Sequence, residues 1–133
     1  MGVEEDSARL HAEGYNCAQS VLKACRKYYP GIDDNMLSAV AAGFGGGVNS
    51  GNICGALSGA VMALGLAEGF DDSDVLNSKH KISGQTKVCC GIFKDKFGSL
   101  LCSELRGGRY SCDELIRFGA ETAENIINKR TGE

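Results

Sequence analysis

Seven cysteines in a chain of 133 residues put sulfur chemistry first. The residues before them sort them into two kinds. Cys17 follows Asn16, Cys54 stands two after Asn52, Cys102 three after Ser99, and Cys112 directly after Ser111. Asn and Ser are favoured helix N-caps because their side-chain oxygens accept from the first free backbone N–H groups. All four cysteines are therefore expected in the first turn of a helix. Unpaired N–H groups and the positive end of the helix dipole favour negative charge there. A thiol so placed should ionise more readily and act as a nucleophile or metal ligand. Lys94, Lys96, Arg106 and Arg109 would add to this at Cys102 if the fold brings any of them near. Cys25, Cys89 and Cys90 fall inside expected helices and read as small core side chains.

Spacing narrows the chemistry. Zinc sites usually show paired short spacings such as C-x2-C, and none occurs here. The thioredoxin-type C-x-x-C and the haem-attaching C-x-x-C-H are absent too, so no c-type haem is expected. Scattered cysteines can still converge in a folded chain. Three uses then stand open for Cys17, Cys54, Cys102 and Cys112: ligands of an iron–sulfur cluster, redox thiols cycling with a disulfide and no metal, or a non-redox zinc site. The glycine-rich stretch from Gly43 to Gly51 fails the G-x-G-x-x-G pattern and lacks Gly-Lys-Ser/Thr, so it is not read as a nucleotide loop. His11 and His80 sit in polar stretches, and no Ser-His-Asp or paired-carboxylate arrangement is readable. Whether the protein is an enzyme stays open.

The elements that must position these thiols read as helices. Residues 3–13 form a short polar helix ended by Gly14. Asn16 caps a second that runs to about Tyr28 with Ala18, Val21, Leu22, Cys25 and Tyr29 on one face, and Pro30-Gly31 ends it. Asp33 or Asp34 caps a third, through Ala42. Asn52 caps a fourth that carries Ile53, Leu57, Val61, Met62 and Leu64 on nearly every side, as a central buried helix would. Gly55 and Gly59 each cost ~1 kcal/mol inside it relative to Ala. With Gly51, they are expected to admit a backbone or a cofactor at close range. The acidic run at Asp71, Asp72 and Asp74 opens a helix to Phe97, with a break expected at Ser83-Gly84 and an apolar face of Cys89, Ile92, Phe93 and Phe97. Ser99 caps a short turn to Leu105, and Gly107-Gly108 reads as a loop. Ser111-Cys112-Asp113-Glu114 is a capping box for the last helix. No alternating strand is visible. The expectation is an all-α, compact single-domain bundle of about five to six helices over residues 1–133.

Charge and composition exclude several roles. The net charge is −3, but Lys79 to Arg109 holds seven basic residues against Asp95 and Glu104. Aromatics are few and no nucleic-acid motif appears, so a solvated basic face is expected and no nucleic acid. No charge occurs between Met36 and Ala67, yet the helical part from Ile53 to Ala67 is shorter than the ~20 residues of a membrane span, so no membrane insertion is expected. The acidic start MGVEEDSARL does not read as a signal peptide, which gives a cytoplasmic expectation. The small-residue face of Gly55, Gly59 and Ala63 suits a tight helix contact, within one chain or in a homodimer.

The stretches GYNCAQSVL (14–22), GFGGGVNSGNICGALSGAVMALGL (43–66) and FGSLLCSEL (97–105), followed by Cys112, resemble the four-cysteine C…GCAxxG…C…C family. Its CGAxxG hallmark stands here as Cys54-Gly55-Ala56-Leu57-Ser58-Gly59. The resemblance spans roughly residues 14–115. It maps the family's four cysteines to Cys17, Cys54, Cys102 and Cys112, and implies a bacterial or archaeal redox protein. Encoding of members near transporters implies a link to a membrane transporter system as well as an unidentified redox partner. A similar domain fused to haem-binding sequence in an unusual cytochrome implies electron transfer through an iron–sulfur cluster.

Overall fold

In the computed structural model, which describes residues 2–106 and 109–130, seven α-helices form: α1 (Val3–Ala12), α2 (Cys17–Ala24), α3 (Asp34–Ala41), α4 (Gly55–Glu68), α5 (Val75–Phe97), α6 (Cys102–Leu105) and α7 (Cys112–Arg130). The all-α expectation holds, and the bundle has one or two more helices than expected because α6 is a helix of a single turn. No strand occurs among the described residues. One isolated antiparallel bridge joins Ile53 to Leu101. The expected Gly107-Gly108 loop lies outside the described residues. No described helix is long and apolar enough to cross a membrane.

Local signals set the helix ends. Asn16 and Gln19 form a reciprocal capping box on α2: Gln19 N–H donates to Asn16 Oδ1 at 2.8 Å, and Asn16 N–H to Gln19 Oε1 at 3.0 Å. Asp33 is the cap of α3, accepting from Met36 N–H at 3.1 Å. Ser111 and Glu114 form the expected box on α7. Two boundaries differ from expectation. The α-helical part of α2 stops at Ala24, and a 3-10 turn, Arg26–Tyr28, carries the chain to Pro30. Helix α5 runs unbroken through Ser83-Gly84, since one interior glycine costs a helix only ~1 kcal/mol.

Helix α4 is the centre of the packing and touches α2, α5 and α7. Ala56, Leu57, Ala60, Ala63 and Leu64 are buried along it. Glycines let the neighbours close in. A Cβ at Gly59 would stand 2.6 Å from Ala18 O of α2, and one at Gly119 of α7 would stand 2.8 Å from Ala56 O of α4. The expected α2 face of Ala18, Val21, Leu22, Cys25 and Tyr29 is buried. On α5, which packs mainly on α4 and α7, Cys89, Phe93 and Phe97 are buried but Ile92 is 39% exposed. Lys23 is the exception inside this shell. It is buried, and it donates to Asp34 at 3.0 Å and Ser38 Oγ at 2.7 Å while lying over the Tyr15 ring, which ties α3 to α2.

Two interior glycines should therefore respond in opposite ways. Gly59→Ala meets a backbone carbonyl and is expected to lower stability by roughly 1–3 kcal/mol in urea unfolding. Gly84→Ala in α5 meets nothing within 4 Å and should raise stability by about 0.5–1 kcal/mol. A neutral Gly59→Ala would contradict the close α2–α4 packing.

Candidate functional site

The starts of α2, α4, α6 and α7 meet at one end of the bundle. Cys17, Cys102 and Cys112 are the first residues of α2, α6 and α7. Cys54 is itself the residue before α4, with extended backbone at φ −52° and ψ 131°, so it and not Asn52 occupies the N-cap position. The Ile53–Leu101 bridge explains the displaced cap. Cys54 N–H donates to Leu100 O at 2.8 Å, and Cys102 N–H donates to Asn52 O at 2.6 Å. These two bonds hold the α4 start extended against the α6 start and set Cys54 beside Cys102.

The other two thiols arrive through helix packing. Gly55 lets α4 approach Cys17, since a Cβ there would lie 3.0 Å from Cys17 Cβ. Cys112 comes within hydrogen-bonding reach of the Cys17 thiol, and the charges of Cys54 and Cys102 are also felt there. All seven cysteines are free thiols. Cys25 and Cys89 lie fully buried in the core, and Cys25 Sγ contacts Ala120 O at 3.9 Å. Cys90 is half-buried on α5.

The expected easier ionisation of the helix-start thiols is not what the site gives. Burial is the largest influence on Cys17 and, with the like charges of Cys112, Cys54 and Cys102, pushes it up to about 12. Burial also raises Cys54, and the N–H groups of Ala56 and Leu57 aimed at its sulfur lower it only in part. Neither N–H closes a regular capping hydrogen bond. The magnitudes decide the sign. A helix start is worth about 0.3–1 kcal/mol to a negative charge, up to ~2 when partly buried. Two like charges ~4 Å apart repel by ~4 kcal/mol at an effective dielectric near 20. Cys17 and Cys54 are thus protonated at neutral pH.

One cation does reach it. The Arg106 guanidinium, at the end of α6, lies against the Cys102 sulfur and near Cys112 and Cys17, and these sulfurs raise its own pKa. Of the four basic residues named from the sequence, Arg106 is the one placed on the thiols; Lys96 lies over the Phe118 ring. Among the described residues no group of three or more His, Cys, Asp and Glu is arranged to hold a metal ion.

Glycines shape the wall of the centre. Gly47 has φ +65°, and a Cβ there would stand 2.8 Å from Cys102 Cβ and 2.5 Å from Asn52 N. Gly45 leaves room for Asn16, whose Nδ2 donates to Ala42 O at 2.9 Å and binds the end of α3 to the start of α2. Gly51 lies against Ser103 of α6, while Gly59, a turn further along α4, faces α2. The chain between stays left-handed through Val48 at φ 60°, a β-branched residue that disfavours it, and Asn49 at φ 52°, which tolerates it. Arg106, Gly45 and Gly47 were not singled out as site residues in the sequence. Only the run of glycines signalled such close approaches.

An all-helical chain with four thiols gathered at helix starts is a protein built around a cysteine centre. A family model described as "Putative redox-active protein (C_GCAxxG_C_C)" matches residues 15–126, and the chain belongs to that family. In this chain the motif cysteine, Cys54, precedes its glycine, Gly55. No curated protein and no solved structure matches the chain.

The protonated Cys17 has a consequence for stability. Cys17 has an ordinary pKa of 9.0 in the unfolded chain and is held up to about 12 by the fold. Between those values the unfolded state binds fewer protons, so stability falls as pH rises. The unloaded, reduced protein is expected to lose stability from pH 9 upward, and Cys17→Ser should make the slope shallower by up to ~1.4 kcal/mol per pH unit. Equal slopes for both proteins in urea unfolding would contradict the burial of Cys17.

Proposed function

We propose that Cys17, Cys54, Cys102 and Cys112 form the redox centre of an electron-transfer protein and hold an iron–sulfur cluster. The observation that carries this is the meeting of four thiols, and only those four, at one end of the bundle. The donor set fits the group. Soft thiolates suit iron–sulfur chemistry. Among the described residues no group is already arranged to hold a metal ion, so the four thiols would have to adjust to hold zinc or a cluster alike. When bound, a cluster would supply one-electron transfer.

The chain's own residues do the rest. Cys17, Cys54, Cys102 and Cys112 give up their protons to become ligands, so loading releases protons and strengthens as pH rises. Ala56 and Leu57 N–H groups, aimed at the Cys54 sulfur, stabilise negative charge there. Arg106 offsets part of the charge at Cys102. Gly47 and Gly55 bring backbone up to Cys102 and Cys17.

A second reading has its own observation. Cys17 and Cys112 lie within hydrogen-bonding reach, which favours a disulfide between them without metal. Two thiols would become one disulfide, and their two electrons and two protons would reduce the disulfide of a redox partner to two thiols.

The test is iron, acid-labile sulfide and the visible spectrum of protein purified without oxygen. Iron with sulfide is expected, lost in Cys54→Ser and kept in Cys25→Ser. Equal behaviour of the two variants would sink the assignment. Colourless wild-type protein that forms a reversible Cys17–Cys112 disulfide would transfer the function to the second reading.

A further inference from the structure

Cys17 and Cys112 are partly exposed, while Cys102 is buried and is approached through a cleft. This cleft, of ≈ 400 Å³, lies between the loop 46–51 and the turn from Cys102 to Arg106. Cys102 is the only one of the four thiols on its lining, and Arg106 is the only charged side chain described there. Asn49, Ser50 and Ser103 supply its uncharged polar side chains. No described carboxylate lines it.

Glycines keep the cleft open. A Cβ at Gly46 would point to within 3.9 Å of Arg106 Nη1, and one at Gly51 would sit 3.2 Å from Ser103 Cβ. Both residues have left-handed backbone, φ +65° and φ +74°, which excludes most side chains from the two positions. Arg106 is held in place by its own backbone: its N–H donates to Cys102 O at 2.9 Å, which folds the end of α6 back over the thiol. The side chain is exposed at the mouth of the cleft, so its charge is met before the sulfur is. A second cleft, ≈ 570 Å³ along Asp74 to Ser83 of α5, has no thiol among its described lining and carries charge of both signs.

We propose that this cleft is the port of the thiol centre, that it admits small anionic redox reactants, and that Arg106 selects them by charge while Cys102 is the sulfur they meet. The proposal rests on the reading of the four thiols as a redox centre, and names the class of reactant it serves. A carboxylate-bearing organic disulfide illustrates the chemistry. Its anionic groups pair with the guanidinium. The Cys102 sulfur attacks one sulfur of the disulfide and its proton leaves to solvent. The bond to Cys102 forms as the S–S bond breaks, and the second half departs as a thiolate.

The test uses the full chain, reduced and free of metal, with two probes: dithionitrobenzoate, a dianionic aromatic disulfide, and dithiodipyridine, a neutral one. Labelling of each cysteine is followed by peptide mass spectrometry after rapid quenching. The quantity read is the ratio of anionic to neutral rate at Cys102, which cancels any change in the thiol itself. That ratio is expected to fall about five- to tenfold in Arg106→Gln, to stay near wild type in Arg106→Lys, and to fall further in Arg106→Glu. Added salt should erode the wild-type preference. Cys90, remote on α5, should keep one ratio throughout. An unchanged ratio at Cys102 in Arg106→Gln would overturn the proposal. So would labelling of Cys17 or Cys112 while Cys102 resists both probes. Failure of the redox-centre reading itself would look different: neither iron nor a reversible disulfide, with the charge preference at Cys102 intact.

Discussion

Four sulfurs drawn out of water toward one point cannot all carry charge unaided, and much of the structure around them follows from that constraint. Burial, helped by mutual repulsion, raises Cys17 and Cys54, and at Cys54 burial outweighs what the N–H groups of the helix start return. Helix starts are still the best place for such sulfurs. They aim N–H groups inward and bring no competing carbonyls. α6 is a single turn with little dipole of its own, and the cation of Arg106 stands at that position. Cys17 and Cys54 are thus favoured as neutral thiols, and a compensating positive charge nearby would favour their thiolates.

Packing delivers the thiols, and glycine sets the packing. Gly59 and Gly119 let α2 and α7 lie close on α4, and that fixes where the starts of α2 and α7 point. The Ile53–Leu101 bridge then adds the α6 start from a chain segment that no long helix carries. Between these elements the chain from Gly43 to Asn52 folds through consecutive left-handed residues, with Val48 held against its preference. Local strain of that kind beside a reactive centre is the pattern expected where position matters more than local comfort.

Much of this was legible in the sequence for reasons that can be named. Asn16-Cys17 and Ser111-Cys112 place thiols at helix starts through capping chemistry that is local: Asn16 caps α2 as expected, and the expected Ser111–Glu114 box forms. Asn52 misled, because its carbonyl is taken by Cys102 N–H of another element, and a long-range bond of this kind leaves no local mark. The unbroken α5 misled for the opposite reason, since tertiary contacts with α4 and α7 carry the helix past Gly84. Ionisation of the thiols was misjudged because the dipole is a local property while burial and neighbouring sulfurs are not. Arg106 was one of four candidates by composition, and only the turn of α6 selects it.

The central claim is that Cys17, Cys54, Cys102 and Cys112 share one site. Its most direct test is to oxidise the reduced, metal-free protein with limiting diamide and map the disulfides that form. The account expects every early bond to join two of those four, with Cys17–Cys112 the first. An early bond that includes Cys25, Cys89 or Cys90, or thiols that stay separate while the fold is intact, would contradict it.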